Sequence, residues 1–217
     1  MLPIYVMYDS GITEFEELVI LRTLQETSAM FPSLNIVCYG SRAWGSGDYS
    51  SADWYIQQTR RVAGIQGGVQ LDADQLVDLV ANEPWQVNNP HIDVVLTSHD
   101  LTAFDAGNQL SFVFGIADGR VTVQSLARFR GLGDFDRELS IEAVIWHELG
   151  HIFGMAANLR RNHTEYNLGP HCTNPGCVMR QGLSVETWAK HARDAYEMQR
   201  VYCPECLVDA SAVLAVP

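Results

Sequence analysis

The stretch His147-Glu148-Leu149-Gly150-His151 sets two imidazoles four residues apart, with a carboxylate beside the first. On an α-helix that spacing puts both rings on one face, where their neutral nitrogens can share a zinc ion. The chemistry available is metal-assisted hydrolysis, with Glu148 as general base. A chance pattern on a core helix is the competing reading. Other chemistries lack their residues: no G-x-S-x-G elbow occurs, and Gly40 and Gly45 have phosphate-loop spacing without the Lys. Cys38, alone in LNIVCYG, reads as a small buried apolar residue.

A catalytic zinc needs a third protein ligand. Gly154, three residues after the second His, can end the helix in a left-handed conformation and turn the chain back. Where the extended motif H-E-x-x-H-x-x-G-x-x-H has its third His, this chain has Ala157, which cannot bind a metal. Two histidines follow within reach of a loop, His163 and His171, and the carboxylates Glu186 and Glu197 are further alternatives. His91, His99 and His191 have no partners at metal spacing.

Four cysteines crowd the last fifth of the chain. Cys172 and Cys177 are five apart, and Cys203-Pro-Glu-Cys206 is a C-x-x-C pair. Two such pairs suit a structural zinc held by four thiolates, which fill every position and leave none for water. Two disulfides or four free thiols are the alternatives, and the N-terminus MLPIYVMYDS argues against disulfides because it lacks the pattern of a signal peptide.

With these residues in place, the chain resembles the archaemetzincins, zinc metallopeptidases with the signature H-E-x-x-H-x-x-G-x-x-H-C-x4-C-x-M followed by C-x-x-C. The likeness rests on HELGHIFG, HCTNPGCVM and CPEC, and more loosely on FVFGIADGRVTVQSLARF, which together span about half of the chain. It implies that His147, His151 and His171 hold a catalytic zinc and that Glu148 is the base. It also implies that Met179 is the methionine of the Met-turn and that Cys172, Cys177, Cys203 and Cys206 hold a second zinc. The pattern departs from the family in two gaps. Sixteen residues, MAANLRRNHTEYNLGP, separate Gly154 from His171, and 23 separate Met179 from Cys203. The first gap reads as a surface insertion, which loop entropy tolerates. It is either a lid over the site or a passive addition.

The elements that must position these residues form an α/β (α+β) fold. PIYVMY at 3–8, LNIVCYG at 34–40 and IDVVLTS at 92–98 read as strands, and Thr13-x-x-Glu16 forms a capping box before a long helix. A surface loop is expected at 45–53, then helices from Asp53 and over 73–83. A hairpin around Asp118-Gly119 follows. Together these predict a twisted, mostly parallel sheet with an antiparallel edge strand, and the resemblance implies that it belongs to a metzincin-like zincin domain. The active-site helix should start at Ser140, with Ile141, Ile145, Leu149 and Ile152 on one stripe. A later helix, capped by Ser184, should bury Val185, Trp188, Ala189, Ala192 and Tyr196. The apolar tail LVDASAVLAVP can pack or fray.

Length and composition fit one domain over 1–217, with an α/β part to about 154 and a zinc-bearing part beyond it. The net charge of −12 argues against nucleic acid and anionic membranes as partners, and no apolar run is long enough to span a bilayer. The expectation is a cytoplasmic zinc endopeptidase carrying two Zn2+, acting on peptides, with a monomer as the default. A scaffold protein that has lost activity, or a non-peptidase zinc amide hydrolase, is the alternative.

Overall fold

The computed structural model describes residues 2–43, 51–62, 70–105, 108–156, 160, 162–166 and 168–214. Most of the loop expected at 45–53, Ala157 and the last three tail residues lie outside them. The chain divides into two compact units, 2–128 and 129–217.

In the first unit, strand β1 (Ile4–Tyr8) leads into helix α1 (Glu14–Met30), and strand β2 (Ile36–Gly40) returns parallel to β1. The capping box is present: Thr13 accepts from the Glu16 amide, and the Glu16 carboxylate accepts from the Thr13 amide. Helix α2 (Ala52–Val62) follows; Asp53 lies inside its first turn and its carboxylate accepts the Ser10 amide. Next come strand β3 (Gln70–Asp72), helix α3 (Ala73–Ala81) and helix α4 (Pro84–Asn88). The helix expected over 73–83 is α3, which ends two residues early at Ala81, and Glu83 then caps a further short helix, α4, at Pro84.

Strand β4 (Ile92–Thr97) is buried at all six positions, as a central parallel strand must be. Strands β5 (Asp100–Thr102), β6 (Phe104–Asp105) and β7 (Asn108–Gln109) are too short to show periodicity in the sequence. Strands β8 (Gly115–Asp118) and β9 (Val121–Ser125) form the predicted hairpin. Asp118 pairs with Val121, so the turn is Gly119-Arg120, opened by Gly119 at φ +57°. The main sheet runs β2-β1-β4-β9-β8, parallel except for the antiparallel edge strand β8. One of its faces packs Met7, Val95, Val121 and Val123 against Tyr55, Ile56, Leu76 and Val80 of α2 and α3. Cys38, expected to be buried, is half-buried on β2.

In the second unit, helix α5 (Asp134–Ile152) starts six residues before Ser140. Ser140 is a buried interior residue and Gly133 takes the cap position. The earlier start follows from Asp134 and Asp136, which suit the positive end of the helix dipole, and from Leu139, which is buried. Asp136 also pairs with Arg193 at 2.7 Å, on helix α6 (Val185–Glu197). Ser184 caps α6 as expected, but the buried stripe is Trp188, Ala189, Ala192 and Ala195. Tyr196 is exposed and packs edge-on against Phe135.

Strands β10 (Thr164–Tyr166) and β11 (Pro170–Cys172) form a small hairpin inside the stretch expected to be loop. The C-terminal stretch packs rather than frays as far as it is described, as helix α7 (Pro204–Leu214) with Cys206 and Ala210 buried. Among the described residues, no helix is long and apolar enough to cross a membrane.

Candidate metal centres

Helix α5 is buried along its whole middle, from Leu139 to Gly150, because it carries the site rather than a surface. His147 and Glu148 are buried and His151 is half-buried one turn on. The helix closes at Phe153, and Gly154 takes the left-handed conformation, φ +71°, that the turn demands. A Cβ at Gly154 would also meet Val213 of α7 at 2.8 Å.

His171, buried on β11, joins the two helix histidines. The ligand atoms of His147, His151 and His171 all lie within 4.8 Å of one another, and the ring centroids stand 4.8 to 5.1 Å apart. The Nδ1 of His147 lies 2.7 Å from the Val178 carbonyl, and that of His171 lies 3.0 Å from the Gly169 carbonyl. A carbonyl can only accept, so each Nδ1 carries the proton and each Nε2 keeps a lone pair for a cation. The Nε2 atoms of His147 and His151 are 3.1 Å apart. A tetrahedral zinc with Zn–N bonds of about 2.0–2.1 Å would separate them by about 3.4 Å.

Burial also sets the protonation states. It holds His147 well below the ordinary imidazole range, helped by repulsion from His151 and His171. His151 is pushed down to about 3, by burial first and His171 second. Neutral imidazoles at ordinary pH are the form a metal binds. Burial raises the Glu148 carboxyl to about 8, toward the range a general base needs.

His163, Glu186 and Glu197 are exposed and stand outside the three-histidine group. His91 is buried in the first unit, with Nε2 3.2 Å from Asp93, and His99 lies 3.2 Å from Arg60. His191 is half-buried on α6.

Cys172, Cys177, Cys203 and Cys206 are all buried and form a second group. Two sulfur pairs, Cys172–Cys203 and Cys177–Cys206, are each 3.7 Å apart. A disulfide needs about 2.05 Å. A tetrahedral zinc with Zn–S bonds of about 2.3 Å needs sulfurs about 3.8 Å apart, so the donor set fits that metal. Hydrogen bonding within the cluster lowers Cys172 to about 6, with Cys177 the leading cause.

Several residues of the site escaped the sequence reading. An ideal Cβ on Gly150, inside HELGH, would fall 2.2 Å from the Met179 sulfur, so this glycine is what admits Met179 beneath the helix. Trp188 sets its ring edge-on to His147, with centroids 5.2 Å apart, and donates from Nε1 to the Ser140 carbonyl. The Tyr202 hydroxyl donates to the Trp146 carbonyl at 2.7 Å. Arg160 donates to two of the cysteine sulfurs. The Gly150 signal was present, since a glycine within a buried helix asks for a packing reason. The other contacts span long sequence distances and leave no local mark.

No protein-family model matches the sequence, and a search of curated proteins found no match to it. Solved structures do resemble it. An archaemetzincin from Methanopyrus kandleri superposes with a TM-score of 0.64 at 19% identity, covering 99% of this chain and 96% of that one. An archaemetzincin from Archaeoglobus fulgidus gives 0.56 at 20% identity, covering 95% and 99%. A zinc-dependent peptidase from Methanocorpusculum labreanum gives 0.52 at 19% identity, with the same coverage. The chain has the fold of the archaemetzincin structures.

Proposed function

We propose that the chain is a single-domain zinc-dependent metalloendopeptidase. The observation that carries this reading is the convergence of His147, His151 and His171 next to buried Glu148, with two of the three imidazoles oriented by backbone carbonyls. The fold shared with archaemetzincins and a zinc-dependent peptidase supports peptides as the substrate class.

In this reading the three histidines hold one zinc and Cys172, Cys177, Cys203 and Cys206 hold another. When bound, the catalytic ion supplies Lewis acidity to the scissile carbonyl and to an attacking water. Glu148 takes the proton of that water and delivers it to the leaving amine. Its buried position shields both transfers from bulk water. Met179 supports the helix that carries the ligands. The four thiolates fit a reducing compartment such as the cytoplasm, and a monomer acting on peptides, without nucleic acid or membrane, completes the reading.

The test is catalytic. Wild-type protein with its zinc should cleave a peptide library, and Glu148→Ala should slow turnover by roughly 10²–10⁴-fold while keeping its metal content. Zinc-loaded protein that cleaves no peptide, and is indifferent to Glu148→Ala, would refute the reading. Cleavage confined to small non-peptide amides would reassign the substrate.

A further inference from the structure

Residues 155–170 look at first like an addition between two ligands. Their contacts point elsewhere. The Arg160 side chain is 7% exposed, and all five of its N–H donors are used. One Nη donates to Cys206 Sγ at 3.1 Å and Asp209 Oδ2 at 2.9 Å. The other donates to Cys172 Sγ at 3.0 Å and the His163 carbonyl at 3.0 Å. Nε donates to the Asn162 carbonyl at 2.9 Å.

Four thiolates around one zinc carry a net charge of about −2, and burying that charge is costly unless it is compensated. Backbone and amide donors already serve parts of the cluster. Asn174 reaches Cys203 through Nδ2 at 3.1 Å and Cys172 through its amide at 3.4 Å, and the Cys203 amide reaches Cys177 at 3.4 Å. These are neutral donors, whereas a guanidinium brings a full positive charge in a fork that fits two acceptors at once.

We infer that Arg160 is an outer-sphere cation of the four-cysteine metal centre, and that through it residues 160, 162 and 163 are held to that centre. Asp209 locks the arrangement, because the oxygen that binds Arg160 also accepts the Ala156 amide at 3.0 Å. The His163 carbonyl is shared in the same way, accepting the Thr173 amide at 2.9 Å. The segment is thus tied near its start, at Arg160 and at its closing hairpin. Arg160 stabilises the metal-loaded centre by offsetting its buried negative charge, and it makes the thiolates weaker nucleophiles toward acids and alkylating agents. This inference rests on the reading of the four cysteines as a zinc site.

The experiment uses the full chain loaded with cobalt(II), whose thiolate charge-transfer absorption reports sulfur coordination. Wild type, Arg160→Gln and Arg160→Lys are compared for band position and for loss of thiolate-bound metal to excess EDTA. The expected result is loss roughly 10–100-fold faster in Arg160→Gln, the usual effect of removing an outer-shell partner. Its bands should shift to lower energy, because thiolates without the cation hold their electrons less tightly. Arg160→Lys should fall between the two, keeping charge without the fork. Band position and loss rate in Arg160→Gln within twofold of wild type would overturn the inference while leaving the metal site standing. Wild type that shows no thiolate band would overturn the metal site itself. If Arg160→Gln does not fold, Arg160→Lys decides, and behaviour identical to wild type would overturn the forked contact.

Discussion

His171 and Cys172 are consecutive residues of strand β11, and they belong to different clusters: His171 to the three histidines, Cys172 to the four cysteines. Successive strand residues point to opposite faces, so two adjacent side chains can serve two centres. The pattern repeats nearby. Val178, next to Cys177, orients His147 through its carbonyl, and Tyr202, next to Cys203, binds the carbonyl of Trp146.

The two centres should therefore be coupled. Cys203→Ser should remove the metal of the cysteine cluster and also weaken zinc at the histidines by roughly tenfold or more, as loss of outer-shell support does. Metal analysis with chelator competition on the variant checks this. Unchanged affinity at the histidine site would show that β11 and the Val178 turn hold their shape without the cysteine metal.

The choice of third ligand can be read from two variants. His171→Ala should lose the catalytic zinc and keep the other, because its ring stands with His147 and His151. His163→Ala should keep both, since that side chain is exposed and outside the group. Zinc counts per chain, made side by side, decide it, and loss of zinc in His163→Ala alone would reverse the assignment.

Gly150→Ala should destabilise the protein by about 1–3 kcal/mol, the usual cost of overpacking. The added Cβ would fall 2.2 Å from the Met179 sulfur. Truncating the obstacle should relieve part of that cost, so the Gly150→Ala, Met179→Ala pair should be less destabilised than the two single changes added together. Denaturant midpoints for the four proteins complete the cycle, and simple additivity would disprove the contact.

Protein stripped of its catalytic metal should show opposite pH trends from two groups. His147 and His151 titrate lower folded than unfolded, His151 at about 3 against an ordinary 6.5. Their contribution to stability is complete above pH 6.5 and drains away as the pH falls toward 3. Glu148 has the other sign. Its folded value of about 8 lies above the ordinary 4.5, so its contribution is complete below pH 4.5 and is lost as the pH rises through 8. Glu148→Gln in the stripped protein should accordingly gain stability over wild type between pH 5 and pH 8, on the order of a few kcal/mol. Parallel stability curves across that range would show that the carboxyl is not held in a dry site.

Local pattern carried much of the molecule. The Thr13 box, the strand β4, the β8–β9 hairpin and the Ser184 cap each depend on residues within a few positions of one another, and each is found where it was expected, with the hairpin's turn one residue later. Expectations failed where distant contacts decided the outcome. Helix α5 extends back past Ser140 because Leu139 is buried and Asp136 has a partner 57 residues away in Arg193. The stripe of α6 runs through Ala195 rather than Tyr196, because Tyr196 found Phe135 on the surface.

The same division holds for the candidate site. Sequence by itself determined which donors exist and which lie on one helix turn, because spacing along a regular backbone converts directly into direction. It left His163 and His171 as rivals, since both lie within reach of a loop. Only the tertiary structure placed His171 beside the helix pair, seated Met179 in the space Gly150 leaves open, and drew Arg160 onto the sulfurs of Cys172 and Cys206. These choices depend on distances between segments far apart in the chain, which no local pattern encodes.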